Sequence, residues 1–236
     1  DNVSLSTNEG SLSSVTDNND GTYTATLTSS DLNTTVDATI SGSLDGETIT
    51  DDAKVTFTSF DAIWRGTPGG DASAEQWDNP DNWEPQSVPG SSASVLIPAE
   101  PANGTRYPVV QNGNQTINTL VVESEADVTI SSGQTLTVSD AVTGNGEING
   151  SNTSTLQVGG DLSLNNLQLG KVIFNGTNGK QKIENIQQFN DLEIDNEDNV
   201  EVSDNLQVSG TLTLTDGNLI IPSGKNLITN EQTVSN

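Results

Sequence analysis

Leu120-Val121-Val122, Val128-Thr129-Ile130 and Leu136-Thr137-Val138 open a repetition that runs from about Thr116 to Ile228. Each unit sets two apolar residues around a mostly polar one and closes in a polar turn. It returns as Leu156-Gln157-Val158 and Leu162-Ser163-Leu164, then as Val200-Glu201-Val202, Leu206-Gln207-Val208, Leu212-Thr213-Leu214 and Leu219-Ile220-Ile221. Unit starts lie 8 residues apart in the first run and 6, 6 and 7 apart in the last. Period-two alternation puts one face of a strand in a core, and recurrence at short, nearly fixed intervals builds a solenoid. Three such strands make a rung of about twenty residues, within the range of stacked repeats. Val, Leu, Ile and Phe take the inward places; Thr, Ser, Gln and Glu face out. Asn149-Gly150, Asn175-Gly176, Asn178-Gly179 and Asp216-Gly217 read as turns where positive φ is cheap.

Composition agrees with a thin, shared core. Across 236 residues only 31% are apolar and 4% aromatic, too few for one thick core. A stack needs only a few Val, Leu and Ile per rung. Disorder is the competing reading of so polar a chain, and the sustained strand periodicity argues against it. The net charge is −26, from 33 acids and 7 bases. That balance repels nucleic acid and anionic membrane, and no basic stripe offsets it. It favours solubility, cation binding or saline surroundings. Cys, His and Met are absent, which removes a disulfide framework, a thiolate nucleophile, an imidazole base and a Cys/His zinc site. No apolar stretch is long enough to span a bilayer. Asp1-Asn2-Val3-Ser4 has neither the basic nor the apolar segment of a signal peptide, so the chain reads as trimmed of its export signal or excerpted from a longer protein.

Three zones follow: residues 1–60, 61–115 and 116–236. In the first, alternating candidate strands at Gly21 to Leu27, Val36 to Ser43 and Ala53 to Phe57 are separated by turns at Asp17-Asn18-Asn19-Asp20-Gly21 and Asp45-Gly46. This is the pattern of an antiparallel sandwich. The runs Leu12 to Asp17, Asp20 to Thr28, Ala38 to Gly42 and Lys54 to Phe57 resemble the invasin/intimin type of bacterial Ig-like repeat. Only about sixty residues are present of a fold that usually takes about a hundred. The opening strands are therefore expected to be cut away or supplied by another segment.

The second zone holds Trp64, Trp77 and Trp83 and most of the prolines, among them Pro68, Pro80, Pro85, Pro89 and Pro98. Loops with short strands such as Ser94 to Ile97 are expected here. Trp64-Arg65-Gly66, Trp77-Asp78, Asn82-Trp83, Val88-Pro89, Val95 to Pro98 and Tyr107-Pro108-Val109 resemble the entry module before right-handed β-helices in large surface proteins of the Bacteroidota. Phe174 to Thr177, Gln181-Lys182-Ile183, Phe189 to Ile194 and Val208 to Leu214 look like the β-helix repeats of the same proteins. The resemblance implies a right-handed winding and export by the type IX route. A solenoid needs caps: the tryptophan zone is the natural N-terminal one, whereas Leu227-Ile228-Thr229 fades into a polar tail with a missing cap or a further repeat after it.

Candidate chemistry is sparse. Asp191, Glu193, Asp195, Glu197, Asp198 and Glu201 form an acidic stretch, with Lys171, Lys180 and Lys182 the only nearby bases. Paired carboxylates can hydrolyse glycosides, but a solvated face that blocks edge-to-edge pairing explains the same residues. Asp17 to Asp20, Asp78 to Asp81 and Asp195 to Asp198 are oxygen-rich, as calcium prefers. None has EF-hand spacing, and Gly159-Gly160-Asp161 is an isolated fragment of a calcium-binding nonapeptide. Thr135-x-Thr137 and Thr211-x-Thr213-x-Thr215 would order water on a flat face only if intervening rungs carried the same pair. The tryptophans would stack on sugars if exposed and cap the core if buried. Asn33-Thr34-Thr35 and Asn175-Gly176-Thr177 are sequons that arise readily in a chain this rich in Asn and Thr.

The expected architecture is all-β: a partial Ig-like β-sandwich, then a right-handed parallel β-helix solenoid with a Trp-rich N-terminal cap. The expected role is non-enzymatic, as a structural or adhesive stalk or display module of a large secreted or cell-surface bacterial protein or filament. A glycan-binding module is the alternative, with a polysaccharide-processing enzyme behind it. No catalytic, cofactor-binding or metal-ligating residue is assigned. No cofactor is expected, structural calcium being the one ion the oxygen-rich turns suit. Expected partners are other cell-surface domains or subunits, with glycans as a further class, and neither nucleic acid nor direct membrane insertion.

Overall fold

The computed structural model describes residues 2–29, 36–57, 59–67, 72–103 and 106–234. The sequon at Asn33 and the landmark Pro68 lie outside the described residues. The chain divides into two compact units, Asp1–Phe60 and Asp61–Asn236.

The first unit is an Ig-like region built around the strand Val36–Leu44. Its second half pairs antiparallel with Val3–Thr7, a strand the sequence pattern does not announce, and its first half pairs antiparallel with Ala53–Phe57. Asp45 and Gly46, at φ 50° and 90°, turn it back onto Glu47–Thr48, the primed geometry that suits strand twist. The expected strand from Gly21 to Leu27 divides in two. Tyr23–Thr24 pairs with Thr16–Asp17 and Leu27–Thr28 with Ser11–Leu12. Ala38 alone is fully buried among the described residues of this unit.

The second unit is a parallel β-solenoid of about six turns behind a tryptophan-centred cap. Three ladders form its faces. The first runs Ser94–Ile97, Thr119–Val122, Val142–Gly144, Leu162–Ser163, Gln181–Glu184, Val200–Val202 and Leu219–Ile220. The second runs Val109–Val110, Asp127–Ile130, Glu147–Gly150 and Asn166–Gln168. The third runs Gln115–Ile117, Thr135–Val138, Thr155–Val158, Lys171–Phe174, Asp191–Asp195, Leu206–Asp216 and Leu227–Val234. From Val109 onward, paired residues lie 19 to 22 positions apart in the chain, save one step of 16 between Thr155–Val158 and Lys171–Phe174.

Inward columns form because each rung repeats the alternation in register. Leu136, Leu156, Val172, Leu192 and Leu212 stack in one column and Val138, Val158, Phe174, Ile194 and Leu214 in its neighbour. All but Leu214 are essentially removed from solvent. Stacking like on like lets each rung bury its apolar pair on the one below, which a single rung cannot do alone. The expected polar tail is instead a strand: Leu227–Val234 pairs parallel with Leu206–Asp216 as far as Leu214, with a register shift between Val208 and Thr211.

Of the four glycines expected to take positive φ in turns, two do so. Gly179 and Gly217 do have positive φ, at 105° and 71°. Gly150 and Gly176 do not; they are glycine because space is lacking. A Cβ on Gly150 would lie 2.6 Å from the carbonyl oxygen of Ile130, and one on Gly176 would collide with that of Gly159.

The corner between the second and third faces changes along the stack. It takes 8 residues from Ile148 to Leu156 but 5 from Leu167 to Val172. Further on it vanishes, and Leu206–Asp216 crosses both faces as one strand, with Gln188–Phe189 beside its first half and Asp191–Asp195 beside its second.

Candidate functional site

The three tryptophans meet in the cap. Ala62–Trp64 pairs parallel with Ser94–Ile97 and antiparallel with Trp83–Glu84, which brings Trp64 opposite Trp83. The rings of Trp64 and Trp83 lie 5.0 Å apart at 83°, and those of Trp77 and Trp83 4.9 Å apart at 67°, edge-to-face contacts that suit the ring quadrupoles. Trp64 Nε1 donates to Arg106 O at 2.8 Å and Trp83 Nε1 to Trp77 O at 2.7 Å. All three side chains are 0% exposed. They cover the first rung, and stacking on a sugar would need them pulled from the core. Asn82 locks the cap loops: its Nδ2 donates to Ser73 O and Gln76 O at 2.8 and 2.9 Å, and its Oδ1 accepts from Thr67 at 2.7 Å.

Of the acidic stretch, Glu201 lines a shallow surface cleft beside Lys180, Lys182 and Glu184. Lys171 pairs with Glu193 at 2.6 Å, and Glu193 also accepts from Thr215 at 2.8 Å. Lys180 pairs with Glu201. Asp191 Oδ1 accepts from the Thr211 amide at 2.7 Å. The Lys171 hydrogen bond holds the Glu193 carboxyl below the ordinary range, and that of Lys180 does the same for Glu201. A general acid of a glycosidase requires the opposite direction.

The oxygen-rich turns spend their oxygens locally. Asp17 Oδ1 accepts from the Asn19 amide and Asp20 Oδ1 from the amide and hydroxyl of Thr22. Asp78 accepts from Asn112 Nδ2, and Asn79 caps the Asp81 amide. Asn196 points inward and is 1% exposed, while Asp161 accepts from the Lys182 amide at 2.8 Å. Among the described residues no three or more carboxylates gather as a metal site. The threonine ladder is likewise broken: on the outer third face, Thr116 and Thr137 are followed by Gln157, Ile173 and Glu193 before Thr213.

Asp127 is a carboxylate shifted upward that no sequence motif singles out. Asp127 sits in register with Glu147 on the second face and accepts from Asn149 Nδ2 at 3.0 Å. Burial, with a smaller push from Glu147, raises its carboxyl above the ordinary range despite the bonds from Asn149 and Thr129. Tyr107 is raised as well, chiefly by burial and then by Glu125, Asp127 and Glu100. Only cross-rung register brings these groups together, so no local motif signals them. Because the folded pKa of Asp127 is raised, the folded state holds its proton more tightly than the unfolded state. Ionised Asp127 therefore destabilises the fold above that pKa, and the penalty disappears as pH falls through it to the unfolded value. Asp127→Asn is expected to stabilise at pH 7 by on the order of 0.5 kcal/mol. That gain should vanish in acid, as measured by denaturant melts across pH.

These features define a modular all-β protein, an Ig-like region followed by a β-solenoid, that fits an adhesive or structural role. Residues 1–60 match the family described as invasin, domain 3, and residues 63–166 match a domain of unknown function, DUF8693. The second match runs from the first cap tryptophan into the fourth rung of the solenoid, treating cap and rungs as one module. No curated protein and no solved structure matches the chain. No helix among the described residues is long and apolar enough to cross a membrane.

Proposed function

We propose that the chain is a non-enzymatic stalk or display segment of a large adhesin or filament on a bacterial surface. The observation that carries this reading is the pairing of an invasin-type Ig-like region with a solenoid whose polar side chains are turned outward rung after rung. An Ig-like module and a solenoid both add length cheaply, because each repeat is stabilised by its neighbours. The charge of −26 keeps such an array soluble and discourages self-association. The reading uses no cofactor and no catalytic residue, and its partners are neighbouring surface domains or subunits. The likeness to Bacteroidota surface proteins adds the type IX route as the means of export.

The test is surface display. An antibody raised against this chain should label intact producing cells, and external protease should abolish the label. Beads coated with the chain should adhere to cell or matrix surfaces more than beads coated with an acidic protein of equal charge. Labelling only after permeabilisation would overturn the surface reading; adhesion no better than the control would overturn the adhesive one.

A further inference from the structure

The second-face ladder stops at Asn166–Gln168, which among the described residues pairs only with Glu147–Gly150. The next strand over, Gln188–Phe189, pairs instead with Leu206–Asp216. Between the two lies a groove of about 580 Å³ open to solvent, inside the size range of small-ligand sites. Its origin is the shortened corner: with 5 residues from Leu167 to Val172 in place of 8, the chain leaves the second face early and the ladder parts.

The groove differs chemically from the rest of the surface. In a chain of net charge −26, none of the described residues lining it is charged. Asn165, Asn166, Gln168, Gln187 and Gln188 line it, and among the described residues their side chains make no hydrogen bond. Two further lining amides are used between rungs, Asn185 Nδ2 donating to Ser163 Oγ at 3.1 Å and Asn190 Nδ2 to Gly170 O at 3.0 Å, as is Asn218 Nδ2 outside the groove, which donates to Asn199 Oδ1 at 2.8 Å. The floor is apolar and slightly open: Leu167 and Leu169 are 8% exposed and Ile186 6%, whereas most of the solenoid core is at 0%.

We propose that this groove binds a segment of neutral polysaccharide. A primary amide offers a carbonyl acceptor and two N–H donors, which match hydroxyl groups that both donate and accept. The C–H face of a sugar ring suits the leucine and isoleucine floor. The field of the whole molecule opposes polyanions such as polyuronates and nucleic acid. An extended peptide added to a strand edge needs a longer edge than the two and three residues offered here. The site gives the adhesive reading above a ligand class and rests on it.

The test uses the full chain in affinity electrophoresis through gels containing laminarin, mannan, xylan or galactan, with alginate and polygalacturonate as acidic arms. Retardation by at least one neutral polymer is expected, unchanged by EDTA. The variant Gln168→Ala/Gln188→Ala, both exposed positions, should keep its melting temperature and lose at least about tenfold in affinity, while Thr137→Ala on the third face should bind as the parent does. Absence of retardation by every neutral polymer, retardation by the acidic polymers alone, or equal binding by the groove variant would overturn the site. If display and adhesion succeed while these gels fail, the ligand assignment falls and the surface function stands; if adhesion fails as well, both fall.

Discussion

Trp83→Ala is expected to cost the Asp61–Asn236 unit about 3–5 kcal/mol, the range for truncating a buried large aromatic. Trp83 is the middle ring of the cluster, in contact with Trp64 on one side and Trp77 on the other. Its loss removes two edge contacts, the bond to Trp77 O and the lid over the first rung. A fall of about 10 °C in melting temperature follows for a domain of this size. Because rungs interact chiefly with their neighbours, damage should be graded along the stack. Hydrogen exchange should quicken most at Ser94–Ile97 and Thr119–Val122 and least at Leu206–Asp216. Trp77 supplies the contrast, since its Nε1 is buried and, among the described residues, has no hydrogen-bond partner. Trp77→Phe discards that orphaned donor along with some volume, so it should cost clearly less than Trp83→Phe, which breaks a bond. Equal costs, or a Trp83→Ala loss below about 1 kcal/mol, would mean that the rings are not the cap's core.

The solenoid was legible wherever both inward places of a strand are apolar, as at Leu136 and Val138 or Leu156 and Val158. Strands with a single apolar residue escaped notice. Val142–Gly144 and Glu147–Gly150 each set a glycine in register with a buried residue of the rung before, Val122 and Ile130. A Cβ there would strike the carbonyl oxygens of those same residues, so close approach of rungs erases the alternation that announces a strand. The tail was misread for a related reason: Leu227–Val234 carries an exposed Ile228 and mostly polar residues, so alternation does not announce it as a strand. The cap was legible through its tryptophans, because rings that large are rarely left in water without a purpose. Asp127 and the amide groove were not legible. The first depends chiefly on burial within the stack, with a smaller push from Glu147 20 positions away across a rung, and the second on a corner lost between faces.

Gln181→Leu should destabilise the unit by about 2–4 kcal/mol, although pattern alone would favour the change. Gln181 lies in register with Val200, takes an inward place and is 2% exposed, so leucine fits the column by size and polarity. The amide, however, holds a closed network. Its Nε2 donates to Val158 O at 3.0 Å and Gly160 O at 2.5 Å, and its Oε1 accepts from the Gly176 amide at 3.0 Å and from Asn196 Nδ2 at 2.8 Å. Asn196 in turn donates to Gly179 O at 3.1 Å and accepts from the Asp198 amide at 2.8 Å. Two buried side chains thus tie together the turns at Gly159-Gly160, Asn175-Gly176 and Asn178-Gly179. Leucine strands the buried Gly176 N–H and the half-buried Gly160 carbonyl, and a buried group left unsatisfied costs about 1–3 kcal/mol; the gain in apolar burial offsets only part of that. The companion Gln181→Glu separates the network from packing. It keeps a similar shape and the acceptor side but faces an ionised oxygen toward two carbonyls, and burial raises the pKa of a carboxyl placed there. Its penalty should therefore be full at pH 7 and shrink as pH falls through that raised value, whereas the Gln181→Leu penalty should not track pH. If the two variants melt alike from pH 4 to pH 8, or if Gln181→Leu melts as the parent does, the amide is a passenger in the column and the apolar stack alone holds these turns.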